Sequence, residues 1–191
     1  RYQEFLVKED TILGPYYQLA TDSLSNAFCI GGLNQIYFNE QGTQMASGIY
    51  GTLKNGTFYD FNRVDIYDFN RCDGVLTFKK YYEVPYDTST YINDDYKEGL
   101  CFSPDGKLMY MSNKYSIYQI DWEDTNTYNA VFIHGPDTTD LSHFPLYGTM
   151  GNAPDGKMYI GNSNGIRKYM SYIDSPNVKG LGCGFVSQGV W

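Results

Sequence analysis

The sequence predicts an all-β fold: a β-propeller of four-stranded antiparallel blades, incomplete, with about three to four blades of a larger ring. Three observations predict it. One hairpin recurs three times, apolar and polar residues alternate around it, and the chain is rich in residues that strands and turns require. Of 191 residues, 20 are Tyr, 11 are Phe and 20 are Gly. Aromatic rings pack well on a pleated sheet, and Gly lets the backbone turn where a Cβ would clash.

The recurring hairpin is read first. It occurs as Gln35-Ile36-Tyr37-Phe38-Asn39-Glu40-Gln41-Gly42, as Gly99-Leu100-Cys101-Phe102-Ser103-Pro104-Asp105-Gly106, and as Thr149-Met150-Gly151-Asn152-Ala153-Pro154-Asp155-Gly156. Pro fixes φ at the second position of a type I turn, Asp bonds its own backbone, and Gly takes the left-handed conformation of a three-residue loop. An Asp beside a Gly also occurs in calcium loops, but the other ligands of such a loop are missing here.

Further strands follow each hairpin. Ile117–Ile120 and the segment near Ala130–Ile133 continue the second unit, and Ile166–Tyr169 continues the third. In the first unit Ile66–Phe69 and Val75–Phe78 lie further out, beyond a second turn at Lys54-Asn55-Gly56-Thr57. The turn glycines at 42, 106 and 156 are spaced more widely than the roughly 40–45 residues of a compact blade, as long loops require. No 3.6-residue stripe persists, which excludes a helical repeat. The expected organisation is the end of a preceding blade with its connector over 1–27, then blades over about 28–84, 97–134 and 147–191.

Charge and composition narrow the function. Lys plus Arg number 14 against 22 Asp plus Glu, a formal net charge of −8, which repels phosphate backbones. No basic patch offsets it, so no nucleic-acid partner is expected. No apolar run reaches the roughly 18 residues of a membrane span, so no membrane insertion is expected. No leader is visible before Arg1-Tyr2-Gln3-Glu4, so either one has been removed or the chain is part of something longer. The cysteines Cys29, Cys72, Cys101 and Cys183 form no CxxC pair, and no metal site or cofactor is expected. An even count is compatible with disulfides; buried free thiols are the other reading.

Three segments carry a resemblance: Ile66–Gly74, Phe102–Tyr110 and Ala153–Tyr159, the last two sharing Pro-Asp-Gly-Lys. They resemble the repeats of WD40-like and TolB-like propellers. Together with Ile173-Asp174-Ser175-Pro176-Asn177-Val178-Lys179-Gly180-Leu181-Gly182-Cys183-Gly184-Phe185, they resemble propeller regions of large secreted or surface proteins of Bacteroidota. Many members carry a sorting domain for type IX secretion and are described as gliding-motility associated. The resemblance spans roughly residues 28–191, with departures at Asn39-Glu40-Gln41-Gly42 and Asn152-Ala153. It implies export to the cell surface or beyond, a part in a larger polypeptide or assembly, and a role in adhesion, scaffolding or binding. It implies no catalytic residues. Asp10-Thr11, Asp22-Ser23 and Asp137-Thr138 resemble the O-glycosylation acceptor of that phylum, which would make Thr11, Ser23 and Thr138 acceptors.

The expected function is therefore a non-catalytic extracellular module that binds a protein or glycan partner. Its expected binding residues are Tyr81, Tyr82, Tyr86, Tyr91, Tyr96 and Trp122, because such rings stack on sugars and anchor interfaces. Inter-blade packing competes for the same rings. The alternative function is a carbohydrate-active or lactone-hydrolysing propeller enzyme, which would need carboxylates, with or without a metal, converging on the central channel. Only His134 and His143 could act as imidazole bases, both read as loop residues, and the densest carboxylates are Asp94-Asp95 and Asp121-Trp122-Glu123-Asp124. No Gly-x-Ser-x-Gly elbow is present.

Overall fold

The computed structural model describes residues 2–8, 11–18, 28–29, 35–54, 57–83, 97–113, 115–124, 130–135, 146–163 and 168–191. Among them every regular element is a strand except one 3-10 turn at Gly180–Cys183. Strands β1 (Tyr2–Lys8) and β2 (Thr11–Gln18) form an antiparallel hairpin. Three larger sheets follow in chain order.

The first sheet holds β3 (Phe28–Cys29), β4 (Ile36–Phe38), β5 (Gln44–Lys54), β6 (Thr57–Asn70) and β7 (Val75–Glu83). Both β3 and β4 pair with β5, at different positions along it. Lys54 pairs with Thr57, where Asn-Gly predicts a turn; residues 55 and 56 lie outside the described residues. The second sheet runs β8 (Lys97–Phe102), β9 (Leu108–Asn113), β10 (Ile117–Asp121) and β11 (Val131–His134). The third runs β12 (Tyr147–Asn152), β13 (Met158–Asn162), β14 (Met170–Ile173) and β15 (Phe185–Val190). The second and third sheets are antiparallel blades whose four strands pair in chain order.

Two predicted elements move. The third strand of the last blade is Met170–Ile173, with Lys168 and Tyr169 before it; residues 166 and 167 of the predicted strand lie outside the described residues. His134, expected in a loop, ends β11, where it pairs with Ile117.

The blades stack face to face. Ala46, Val64, Ile66 and Tyr82 of the first meet Leu100, Phe102, Met109 and Met111 of the second in one buried cluster. The other face of the second blade presents Cys101, Leu108, Tyr110 and Ile117 to Met150, Met158, Ile160 and Ile173 of the third. Burying one such side chain is worth roughly 1.5–3 kcal/mol, so the two seams hold the stack together.

The repeated hairpins obey the predicted turn chemistry. Gly42, Gly106 and Gly156 have φ of +63°, +73° and +83°, and their N–H groups bond back to Asn39, Ser103 and Ala153. The closing bonds differ. Asn39 N–H reaches the Gln44 carbonyl and Ser103 N–H that of Leu108, whereas Ala153 N–H reaches Lys157. The longer turns leave extra N–H groups that a side chain must satisfy. Asn39 Oδ1 accepts from Thr43 and Gln44 N–H at 2.8 and 3.0 Å, and Ser103 Oγ accepts from Leu108 N–H at 2.9 Å. Ala153 has no such atom, and its turn closes one residue sooner. Consequently Phe38 pairs with Met45 and Phe102 with Met109, but Asn152 pairs with Met158. A shift of one residue exchanges the faces of a strand. Met158 and Ile160 therefore point into the seam, and Tyr159 is left half-exposed.

The segment between β14 and β15 straps the third blade to the second. Tyr110 donates to the Pro176 carbonyl at 2.9 Å, and Gln119 Nε2 donates to Val178 O at 2.8 Å. Gln119 Oε1 accepts from Gly180 N–H at 2.7 Å, and Lys179 pairs with Asp121.

Candidate functional site at the convergence of the inner strands

The strands β4, β8 and β12 each begin the main run of their blade, and β8 and β12 are edge strands of their sheets. An edge strand carries main-chain N–H and C=O groups that its own sheet does not use. Here they meet one side chain. Gln35, immediately before β4, accepts at Oε1 from Leu100 N–H at 3.1 Å and from Met150 N–H at 3.0 Å. Its Nε2 donates to the Met150 carbonyl at 2.8 Å. Groups from three blades thus close on one carboxamide.

Close approach of β8 and β12 makes this possible. Ser112 donates to the Gly148 carbonyl at 2.9 Å, and a Cβ on Gly99 would stand 2.3 Å from that same oxygen. Only Gly fits at 99 without forcing the inner strands apart. Gln35, Gly99 and Thr149 occupy the same place in the three repeats, four residues before Asn39, Ser103 and Ala153. A long polar side chain where another repeat has Gly was the one signal in the sequence that marked this position.

Beside Gln35, Tyr37 hydrogen-bonds to Cys101, and its hydroxyl oxygen also accepts from the Asn152 backbone. Burial pushes the Tyr37 hydroxyl up to about 12, reinforced by Cys101, and burial pushes the Cys101 thiol up to about 12. A thiol held protonated in this way is a poor nucleophile at neutral pH. Asn152 Nδ2 donates to the Phe102 carbonyl at 2.9 Å, and its Oδ1 is buried with no hydrogen-bond partner. This centre can offer donors and acceptors to a polar ligand, but not an activated sulfur.

The sequence-derived residues lie elsewhere. Tyr82 and Trp122 are 1% and 5% exposed, in the seam between the first two blades. Tyr82 donates to the Trp122 and Asp124 carbonyls, and Trp122 Nε1 donates to Gly106 O at 2.5 Å. Neither ring is presented to solvent; both act as inter-blade packing. Lys79 and Lys80 sit over the Trp122 ring, at 5.2 and 5.6 Å from its centroid. Tyr81 is half-buried, and Tyr86, Tyr91 and Tyr96 lie outside the described residues. So do Asp94, Asp95, His143, Ser23 and Thr138, while Thr11 opens β2.

Cys72, Cys101 and Cys183 are free thiols, which corrects the disulfide expectation for these three. Cys101 and Cys183 are buried in the second seam and pack as small apolar groups, while Cys72 is exposed on a turn. His134 stacks 4.6 Å from Phe185, and burial pushes its pKa down. Among the described residues no three His, Cys, Asp or Glu side chains are grouped to hold a metal ion, and no helix is long and apolar enough to cross a membrane.

No family model and no curated protein matches the sequence. Solved structures do match. A periplasmic gluconolactonase from Pseudomonas aeruginosa superposes at a TM-score of 0.53 with 12% identity, over 85% of this chain and 43% of that one. The fold is a β-propeller's. A protein from Bacteroides uniformis assigned as a 6-phosphogluconolactonase follows at 0.46 with 16% identity, over 88% of this chain and 45% of that one. Hydrazine synthase from Kuenenia stuttgartiensis follows at 0.44 with 16% identity, over 74% of this chain and 32% of that one. The chain spans less than half the length of each of these structures. The reading of a module that is not an enzyme is corrected here: the solved propeller that this chain superposes on at 0.53 is an enzyme, a gluconolactonase.

Proposed function

We propose that this chain supplies blades of a propeller enzyme that hydrolyses a lactone. The observation that carries the reading is the superposition on a gluconolactonase at a TM-score of 0.53. The chemistry suits the centre of the fold. Hydrolysis adds water to the carbonyl carbon, breaks the ring C–O bond, protonates the ring oxygen and releases a hydroxy acid. The step needs donors aimed at the carbonyl oxygen as charge develops, and main-chain N–H groups serve that purpose well. It needs no sulfur nucleophile, in keeping with the protonated Cys101 thiol.

The test is acid release from δ-gluconolactone, followed with a pH indicator and compared with spontaneous opening in the same buffer. Saturable acceleration by the protein supports the reading, and a rate equal to that of buffer overturns it. The same reading places the protein outside the cytoplasm, in line with the periplasmic location of the gluconolactonase and with the resemblance to exported propellers. Recovery in the cytosolic fraction of the producing cell would count against that placement.

A further inference from the structure

The contacts of Gln35 have an unusual composition. Two main-chain N–H groups from different blades, those of Leu100 and Met150, converge on a single carbonyl oxygen at 3.1 and 3.0 Å. One main-chain carbonyl, that of Met150, accepts at 2.8 Å from the amide nitrogen beside it. The blades themselves thus present two donors for one oxygen and one acceptor for a neighbouring donor. Two N–H groups aimed at one carbonyl oxygen form the arrangement that stabilises the oxyanion of an acyl-transfer intermediate.

We propose that this three-point pocket is the binding site for a hydroxylactone, and that the Gln35 carboxamide occupies it as an internal stand-in for the substrate. The proposal rests on the lactone-hydrolase reading and names its site. Gln35 Oε1 marks where the lactone carbonyl oxygen sits. The adjacent ring carbon takes the place of Gln35 Nε2, and a hydroxyl on it, one bond further from the carbonyl, donates to Met150 O. A plain lactone has the carbonyl alone and leaves that buried acceptor unpaired, so the pocket selects lactones with an adjacent hydroxyl. Gln35 is half-buried and its repeat equivalent Thr149 is exposed, whereas Leu100 and Met150 are buried, so a ligand reaches their backbone groups only when the carboxamide rotates away. The stand-in also imposes a cost on binding. If it fills the pocket nine-tenths of the time, it weakens the apparent affinity about tenfold.

The experiment uses gluconolactam, a hydroxylactam that is not hydrolysed in the assay, titrated into the isotope-labelled chain and read by amide resonances. In the unaltered protein the Leu100 and Met150 amides and the Gln35 side-chain NH2 should move together. Gln35→Ala should tighten the lactam about tenfold, with the Leu100 and Met150 amides still moving. Gln35→Glu keeps a carboxylate acceptor for both N–H groups and should weaken binding instead. 2-Hydroxycyclohexanone should bind at least tenfold more tightly than cyclohexanone, a pair in which no ring N–H can replace the hydroxyl at Met150 O. Resonance changes confined to residues away from Leu100 and Met150 overturn the site even if the protein hydrolyses lactones. Changes at these amides without any hydrolysis keep the site and overturn the enzyme reading alone. If Gln35→Ala does not fold, the unaltered protein decides: silence at Leu100, Met150 and Gln35 up to saturating lactam overturns the proposal.

Discussion

Ser103 Oγ accepts the main-chain N–H of Leu108 at 2.9 Å, and this one bond separates two hairpins that share the sequence Pro-Asp-Gly-Lys. Ser103→Ala removes the acceptor and leaves a buried N–H unpaired, a loss of about 1–3 kcal/mol. The urea midpoint should fall accordingly. Ala153→Ser, which adds the acceptor where the turn is already closed, should leave the midpoint nearly unchanged. An equal fall for both variants would remove the register explanation.

A second expectation concerns the strap between the last two blades. Gln119→Ala deletes the bonds to Val178 and Gly180 together with that to Tyr110, and should lower stability by about 1–3 kcal/mol. Tyr110→Phe, which loses the bond to Pro176 and the one accepted from Gln119, should cost about 1–3 kcal/mol. Because both groups hold the same segment, the double variant should cost less than the sum of the two. Strict additivity in denaturant titrations would show that the strap does not act as a unit.

Gly99→Ala tests the approach of the inner strands. Its Cβ would fall 2.3 Å from Gly148 O and 2.6 Å from Ser112 Oγ. The strands must separate, at about 1–3 kcal/mol of overpacking. Gly151→Ala, where nothing lies within 4 Å, should be tolerated. Melting temperatures of the two variants make the comparison, and equal losses would contradict it.

The pH dependence of stability has a definite sign at His134. Burial holds its folded pKa below 6.5. Between the lowered value and 6.5 the unfolded chain binds more protons than the folded one, so stability rises with pH across that window. The contribution is complete above about 6.5 and is lost as pH falls through the folded value. The urea midpoint should therefore decline from pH 7 toward pH 5. His134→Phe, which keeps a ring against Phe185, should decline less; parallel curves would rule the residue out.

Thiol reactivity should divide the cysteines. Iodoacetamide at pH 8 should label exposed Cys72 within minutes and leave Cys101 and Cys183 unmodified until urea is added. Both buried thiols are pushed up by burial, and few thiolates form on either. Peptide mass spectrometry reads the outcome, and rapid labelling of Cys101 would contradict its burial.

These residues also show what sequence reasoning reaches. The hairpins were legible because Pro-Asp-Gly constrains φ locally, whatever surrounds it. Register was not, since it depends on whether the residue before Pro carries an oxygen, a difference of one atom between Ser103 and Ala153. The role of Tyr82 and Trp122 was hidden for another reason. A ring in a seam and a ring in a binding groove have the same composition, and only the position of the neighbouring blade separates them. Gln35 was least visible, because its partners are backbone atoms at Leu100 and Met150, and backbone atoms leave no trace in side-chain patterns.

The distance along the chain between those partners has a kinetic consequence. Gln35 lies 65 residues from Leu100 and 115 from Met150. A ribosome adding about 5–20 residues per second needs roughly 6–23 s to make the second span. Each blade closes on local hairpins, but the carboxamide must wait for the last blade before its bonds are complete. The first two blades can therefore emerge and stack while the centre is still open. Joining the third to Gln35 closes a longer loop than joining the second, and so carries the larger entropic cost.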